Sequence, residues 1–176
     1  MMVREFVSLA LVFSFSCVSA QTISTMTLSG TDWMSVQDVS QVSDAGNDLS
    51  NVIESATNQN IMDIRYTTSI LILGIGANPF RIEVRKSDIN WNGSIIPAVR
   101  RTGGTPDNSL LDILSNPSSI TGGVNYQNIT NISTTLFTGY GKVDNITLQY
   151  RFSGISLALP ADDYETEIIY TMWDNE

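Results

Sequence analysis

Apolar and polar residues alternate with a period of two along several short segments of the chain. In residues 80–85, Phe80, Ile82 and Val84 alternate with charged side chains. Because successive side chains of a β-strand point to opposite faces, this pattern predicts a strand with one buried and one solvent-facing side. Residues 145–153 alternate in the same way, and these apolar side chains are predicted to face the core: Ile146, Leu148, Tyr150 and Phe152.

The clearest alternation lies near the end of the chain, at residues 164–173. Ile168 and Tyr170 fall on one side of this segment, while Glu165 and Glu167 fall on the other. Chain termini seldom carry so regular a pattern unless they are tied into a fold. We therefore expect this segment to be a strand that pairs deep in the structure.

Other strand-like segments are separated by residues that favour turns, such as Asn92 and Gly93. The further predicted strands are residues 61–67, 69–75, 95–101, 126–131 and 134–138. Helical spacing occurs in residues 47–56, where a strand is the alternative, and in residues 110–114. Short strands joined by Gly, Asn and Pro turns are typical of all-β folds. The pattern predicts a single-domain antiparallel β-sandwich with Greek-key-like connections and at most one short helix.

The start of the chain has the pattern of a cleavable signal peptide. After Arg4 an apolar run of about ten residues suits the central region of such a peptide. It is too short for a membrane-spanning helix, which needs roughly 20 apolar residues. We predict cleavage after Ala20, which makes residues 1–20 the signal and residues 21–176 one secreted, periplasmic or cell-surface domain. Lipidation at Cys17 is the alternative, although Ser14 stands where a lipoprotein signal usually carries Leu.

Composition narrows the function classes. The chain has a net charge of −9, which disfavours binding to nucleic acid or to anionic membranes because both rely on Lys and Arg. It contains no His, and its single Cys lies in the predicted signal. Histidine acid–base chemistry, thiol catalysis and Cys-based zinc sites are therefore excluded for the mature domain. We predict that the protein is not an enzyme.

Two acidic clusters are the candidate metal or catalytic groups. Asp44 and Asp48 flank Gly46 in a segment that resembles part of a calcium loop, but an EF-hand would need Glu at position 55, where Ser stands. These two residues are the candidate calcium ligands, with a simple turn as the alternative. Near the last strand, carboxylates could form a glycosidase pair, although a solvated strand face explains them better: Asp162, Asp163, Glu165 and Glu167.

Two further surface features follow from sequence motifs. Four Asn-x-Ser/Thr triplets begin at Asn92, Asn128, Asn131 and Asn145, and each could be glycosylated in a eukaryotic secretory setting, with chance occurrence in an Asn- and Thr-rich chain as the alternative. The three tryptophans could form an aromatic platform for sugar, while packing in the core or at an edge is the default interpretation.

The end of the chain resembles bacterial secreted surface β-sandwiches. Residues 145–150, 153–160 and 164–172 carry a pattern similar to the last strands of fimbrial-like subunits and WxL-type cell-surface domains. The Trp-x-Leu motifs are missing, since Trp33, Trp91 and Trp173 are not followed by Leu at the second position. The resemblance implies an exported structural or adhesive cell-surface protein, without the peptidoglycan binding of the WxL family.

The segment after the signal is the candidate for assembly. Residues 21–28 are extended and Thr-rich, and Ile23, Met26 and Leu28 are the apolar residues predicted to pair with a neighbouring subunit's sheet by strand addition. The alternative is that this segment forms the first strand of its own sandwich. The partners are then other surface subunits or an extracellular ligand. The second functional hypothesis is a secreted carbohydrate-binding or calcium-dependent binding module.

Overall fold

The computed structural model describes residues 23–36, 51–67, 79–108, 117–156 and 158–174. Eleven strands and no helix lie in these ranges, arranged as two antiparallel sheets packed face to face. The strands are β1 (Ile23–Gly30), β2 (Val52–Glu54), β3 (Asn60–Thr67), β4 (Pro79–Asn90), β5 (Ile96–Arg101), β6 (Thr105–Asp107), β7 (Ser119–Gly122), β8 (Gln127–Asn128), β9 (Thr134–Tyr140), β10 (Lys142–Ser153) and β11 (Glu165–Asp174). The predicted all-β sandwich is confirmed.

The larger sheet, sheet A, is organised around β10. Its strand order is β1-β3-β10-β5-β8, and both β2 and β6 also pair with β10. β10 therefore meets two strands along each of its edges. β3 and then β2 lie along one edge, and β6 and then β5 lie along the other.

A bulge lies near the start of β10. The pairing with β3 shifts register between Val143 and Ile146. Asn145 lies inside the shift with a φ of 54°, a left-handed conformation that Asn tolerates better than most residues. Its backbone N–H donates to the Asp63 carboxylate at 2.8 Å. A bulge bends and twists its strand, so β10 changes direction within its pairing with β3.

The smaller sheet, sheet B, has the order β11-β4-β9-β7. Ten residues of β11 pair with β4, from Glu165 opposite Asn90 to Asp174 opposite Phe80. The predicted terminal strand is therefore confirmed, but the expectation that it pairs deep in the fold is wrong. Among the described residues β11 pairs with β4 alone and lies at the edge of the sheet.

The core is formed by the apolar faces of both sheets. Phe80, Ile82 and Val84 of β4 are fully buried, as their alternation predicted. From β10, Ile146 and Leu148 are fully buried and Tyr150 is 8 % exposed, while Phe152 is half-buried. The same cluster contains Met62, Ile64, Val99, Ile129, Leu136, Phe137 and Val143. Burial of these side chains supplies the main stabilisation of a fold without disulfides.

The other predicted elements have mixed outcomes. Residues 61–67, 95–101 and 134–138 match β3, β5 and β9 closely, whereas only Gln127–Asn128 of the predicted strand 126–131 is a strand. For residues 47–56 the strand alternative holds at Val52–Glu54. The predicted strand 69–75, the helical turn 110–114 and the signal peptide 1–20 lie outside the described residues.

Gly139 provides a sharp test of the packing in sheet B. It lies in β9 opposite Phe80, and a Cβ at this position would come 2.2 Å from Cζ of Phe80 and 2.5 Å from the Ser119 carbonyl oxygen. We expect Gly139→Ala to lower the free energy of unfolding by about 1–3 kcal/mol, because a packed ring and a backbone strand would have to move. Urea denaturation followed by circular dichroism measures this change.

Gly93→Ala is the matched control for this substitution. A Cβ on Gly93 would meet no atom within 4 Å, and its φ is not positive. Its free energy of unfolding should stay within about 0.5 kcal/mol of the wild-type value. Equal effects of the two substitutions would contradict the close packing of Phe80 on Gly139.

Candidate interaction surfaces

The first candidate surface is the outer edge of β1. All eight residues of β1 pair with β3 in an unbroken antiparallel register, from Ile23 opposite Thr67 to Gly30 opposite Asn60. Among the described residues β1 has no strand on its other side. Its outward backbone groups therefore form a row that another strand could pair with.

The side chains of β1 divide between the core and solvent. Met26 packs against the hydrophobic core, whereas Leu28 is 46 % exposed. On the opposite face Thr25 and Ser29 donate from their hydroxyls to the carbonyls of the facing β3 residues, at 3.4 and 3.2 Å. Of the predicted assembly residues, Met26 thus anchors β1 to its own sandwich and Leu28 remains accessible. The side chain of Ile23 lies outside the described residues.

β11 provides an edge of a different character. It carries carboxylates at both ends, namely Glu165 and Glu167 at its start and Asp174 at its end. Its register with β4 also shifts between Glu165 and Thr166. Charges and bulges are the devices with which proteins prevent edge-to-edge pairing. β1 has neither, because Ile23–Gly30 contains no charged residue and its register is continuous.

The second candidate surface is the outer face of sheet B around Trp173. This side chain is 48 % exposed, and its indole N–H donates to Oε2 of Glu83 at 2.9 Å. The guanidinium of Arg81 lies over the same indole, 5.8 Å from the ring centre, and its Nε is 3.0 Å from Oε1 of Glu83. The ring is thus held in a fixed orientation with polar groups beside it, an arrangement suited to stacking on a sugar.

Glu83 is the charged centre of this second surface. Ser133 donates to it at 2.9 Å, and this hydrogen bond is the main cause that holds the pKa of the Glu83 carboxyl below its ordinary value, with Trp173 and Arg81 adding to it. The carboxylate is therefore ionised over the neutral range. Because it is negatively charged and already hydrogen-bonded, it positions the indole and is poorly suited to be a general acid.

The other two tryptophans do not share this surface. Trp33 stacks on Phe152 with ring centres 4.3 Å apart, and Trp91 lies 5.4 Å from the same ring in a tilted arrangement. The Trp91 indole N–H donates to the Ile95 carbonyl at 2.8 Å. Both are half-buried, so the default packing interpretation holds for them. A three-tryptophan platform is not formed, and only Trp173 is available as a sugar-stacking ring.

The acidic residues near the last strand lie on a solvated surface. Asp162, Asp163, Glu165 and Glu167 are all exposed. Asn90 donates to the Asp162 carboxylate at 3.4 Å and to the Asp163 carbonyl at 2.8 Å, which ties this turn to β4. In the described part of the chain no three acidic, His or Cys residues come together to hold a metal ion. The candidate calcium ligands Asp44 and Asp48 lie outside that part.

A buried tyrosine pair lies between the two sheets. The hydroxyl of Tyr170 in β11 donates to the hydroxyl of Tyr150 in β10 at 3.0 Å. Burial raises the pKa of Tyr170 well above its ordinary value, and the neighbouring Tyr150 adds to this shift. Burial also raises the pKa of Tyr150. Both hydroxyls therefore stay protonated at neutral pH and act as a structural contact between the sheets.

Comparisons with known proteins assign no relative to this molecule. No protein-family model, no curated protein and no solved structure matches the chain. Within the described ranges, no helix is long and apolar enough to cross a membrane.

The tyrosine pair predicts a specific alkaline instability. Because the pKa of Tyr170 is higher in the folded than in the unfolded state, the unfolded chain loses this proton first as pH rises. Stability should therefore be complete below pH about 10 and fall above it, by up to about 1.4 kcal/mol per pH unit for each such tyrosine. Tyr170→Phe should make the fall shallower, as measured by urea denaturation between neutral and strongly alkaline pH.

The same substitution has a cost at neutral pH. Tyr170→Phe leaves the Tyr150 hydroxyl without its partner and should lower the free energy of unfolding by about 0.5–1.5 kcal/mol. The double variant Tyr150→Phe/Tyr170→Phe removes both hydroxyls and should recover part of that loss. If the pH dependence of wild type and Tyr170→Phe is parallel above pH 10, the assignment of the alkaline loss to Tyr170 is wrong.

Proposed function

We propose that this protein is an exported structural or adhesive component of the cell surface that associates edge to edge through β1 with a second copy of the chain. The observation that carries the proposal is the β1 edge. It is eight residues long, uncharged and regular, and it has no neighbour on its outer side among the described residues. An edge of this kind is a template for pairing with another strand.

The contrast between the two long edges supports β1 as the associating one. β11 is longer but carries acidic residues at both ends. On a protein with a net charge of −9, pairing two such edges would bring like charges together, which is unfavourable. β1 faces no such repulsion, and the Thr and Ser side chains of its outer face remain compatible with solvent before association.

The position of Met26 is compatible with edge addition. Met26 packs on the core of its own sandwich, and this contact would have to break before β1 could be exchanged with a neighbour. Pairing at the outer edge keeps it and adds only new backbone hydrogen bonds. Each such bond contributes about 0.5–1.5 kcal/mol net. Association through one short strand should therefore be modest in affinity and depend strongly on protein concentration.

Thr27→Lys tests this association. Thr27 is exposed on β1 and lies directly opposite Asp63 of β3, so a lysine there has a favourable partner within its own sheet. In a pair of β1 strands the two lysines would lie within the roughly 10 Å range of weakly screened repulsion. We expect wild-type residues 21–176 to form dimers or larger species at high concentration in light scattering after size exclusion, and Thr27→Lys to remain monomeric.

Thr171→Lys on β11 is the matched control. It also places a lysine opposite a carboxylate, Glu83, but on the other edge. Its mass should follow that of wild type, and circular dichroism should show that both variants are folded. A wild-type protein that stays monomeric up to millimolar concentration, or a Thr27→Lys variant that associates like wild type, would refute association through β1.

A secreted carbohydrate-binding module is the second candidate function. The exposed Trp173 ring, oriented by Glu83 and Arg81, is the observation that favours it. On this hypothesis a neutral oligosaccharide stacks on the indole, and the adjacent charged groups bond its hydroxyls.

Trp173→Ala should abolish glycan binding if this second function holds. Isothermal titration calorimetry against a panel of neutral glycans measures the binding, and Ile89→Ala, which removes another exposed apolar side chain, should leave it unchanged. A panel without any saturating response in wild type would rule this candidate out.

A further inference from the structure

The outer face of sheet A carries a cluster of two arginines and one tyrosine. Arg100 of β5 lies opposite Gln149 of β10, and Arg151, two residues further along β10, lies opposite Ala98. Both guanidinium groups lie over the ring of Tyr126, with their central carbons 4.6 and 4.2 Å from the ring centre. Two cations thus converge on a single aromatic ring.

The positive charge of this cluster is not neutralised by an ion pair. Arg65, Arg81 and Lys86 each form a salt bridge with a carboxylate. Neither Arg100 nor Arg151 does so with any carboxylate of the described residues.

The hydrogen bonds of the cluster are also incomplete. Nε and Nη2 of Arg100 both donate to Oε1 of Gln149, at 3.0 and 2.8 Å. Gln149 is itself held by the Ser55 carbonyl, to which its amide donates at 2.9 Å. The Tyr126 hydroxyl lies beside Glu54: burial is the largest cause that raises the pKa of Tyr126, and the charge and hydrogen bond of Glu54 add to it. Within the described structure, Nε of Arg151 is buried without a hydrogen-bond partner. A buried donor is expected to have an acceptor, and stacking on the ring does not supply one.

Glu54 lies beside the cluster and reduces its net positive charge. It lies opposite Arg151 in the pairing of β2 with β10, and its Oε2 accepts from Gln149 at 3.5 Å. With two arginines and one glutamate the cluster keeps a net positive charge of about one unit. It therefore suits a small anion better than a neutral or cationic group.

We propose that Arg100, Tyr126 and Arg151 form a binding site for one small oxyanion of the carboxylate or sulfate class. Guanidinium groups present planar pairs of N–H donors that match the oxygens of such groups. The bound oxyanion supplies the acceptor that Nε of Arg151 lacks. The site lies on a different surface from both the β1 edge and Trp173, and it does not depend on either proposed function.

The test is an NMR titration of the arginine side chains of residues 21–176 with sodium sulfate and with sodium acetate, at ionic strength held constant with sodium chloride. The Nε–Hε signals of Arg100 and Arg151 should shift and saturate, while that of Arg65, already paired with Asp144, should not. Shifts that grow linearly without saturation, or that are equal at all three arginines, would overturn the proposal.

Two substitutions with opposite expected effects separate binding from a purely structural role. Arg151→Gln should weaken sulfate binding by at least about tenfold, because it removes a charged donor. Glu54→Gln should strengthen binding, because it removes a neighbouring negative charge. Arg65→Gln is the control and should leave the affinity unchanged. If Arg151→Gln does not fold, Glu54→Gln still decides, since unchanged or weaker binding in that variant contradicts an oxyanion site.

A comparison of acetate with a sugar acid shows whether the site takes a free oxyanion or an oxyanion carried on a sugar. Methyl glucuronide carries the carboxylate on a sugar ring, and methyl glucoside lacks the charge. Tighter binding of the glucuronide than of acetate would support the site and identify an acidic glycan as its natural ligand. Equal binding of the two would support a site for a free oxyanion, whereas saturating binding of the uncharged glucoside at the same residues would overturn the oxyanion assignment.

Discussion

The pairing of β10 with its neighbours on both sides is the constraint on which the rest of the structure depends. Among the described strands, β10 alone joins β3 and β2 on one side of sheet A to β5 and β6 on the other. Its inward residues Ile146 and Leu148 are fully buried. Its first half meets β3 and β6 and its second half meets β2 and β5, and the bulge around Asn145 bends it within the pairing with β3. The hydroxyl contact from Tyr150 to Tyr170 then ties sheet A to the edge strand of sheet B. A chain without disulfides in its described domain thus relies on one long central strand to join local pairings into a single core.

Much of the strand content could be predicted from sequence because a half-buried strand leaves a direct trace in its residues. Phe80, Ile82 and Val84 alternate with charges since one face of β4 packs on the core and the other meets water. Whether a strand lies at the edge or in the interior of a sheet is not visible in its own residues. The alternation in β11 is as regular as that in β4, yet β11 is an edge strand and β4 an inner one, because alternation reports which face is buried and not how many neighbours a strand has. β6 was missed and β8 is shorter than predicted, because β6 forms only three residue pairs with β10 and β8 only two with β5.

The candidate surfaces were less accessible to sequence analysis than the fold. Trp173 could be singled out as an aromatic residue on a solvent-facing side, but its hydrogen bond to Glu83 crosses from β11 to β4 and depends on their register. The convergence of Arg100, Tyr126 and Arg151 requires β5, β8 and β10 to be neighbours, and no local pattern marks it. The sequence offered only indirect evidence of this cluster, namely that an acidic chain has several of its few arginines in strands. The uncharged character of residues 23–30 was visible in the sequence, whereas their position at an edge was not.

Pairing through β1 and oxyanion binding by the arginine cluster are compatible, because the first uses the edge of sheet A and the second uses its outer face. Two copies that pair antiparallel through β1 are related by a two-fold axis perpendicular to the joined sheet, since antiparallel strands exchange under that rotation. Both outer faces of sheet A, and with them both arginine clusters, would then point to the same side. Weak binding of single oxyanions at each copy would combine on an acidic polymer, because linked sites raise the effective local concentration of the next one. The surface around Trp173 would face the opposite side of the same assembly. If the proposed association through β1 and the proposed oxyanion site both hold, the two-fold geometry places both anion sites on one side of the dimer, where they would act together on one polymer.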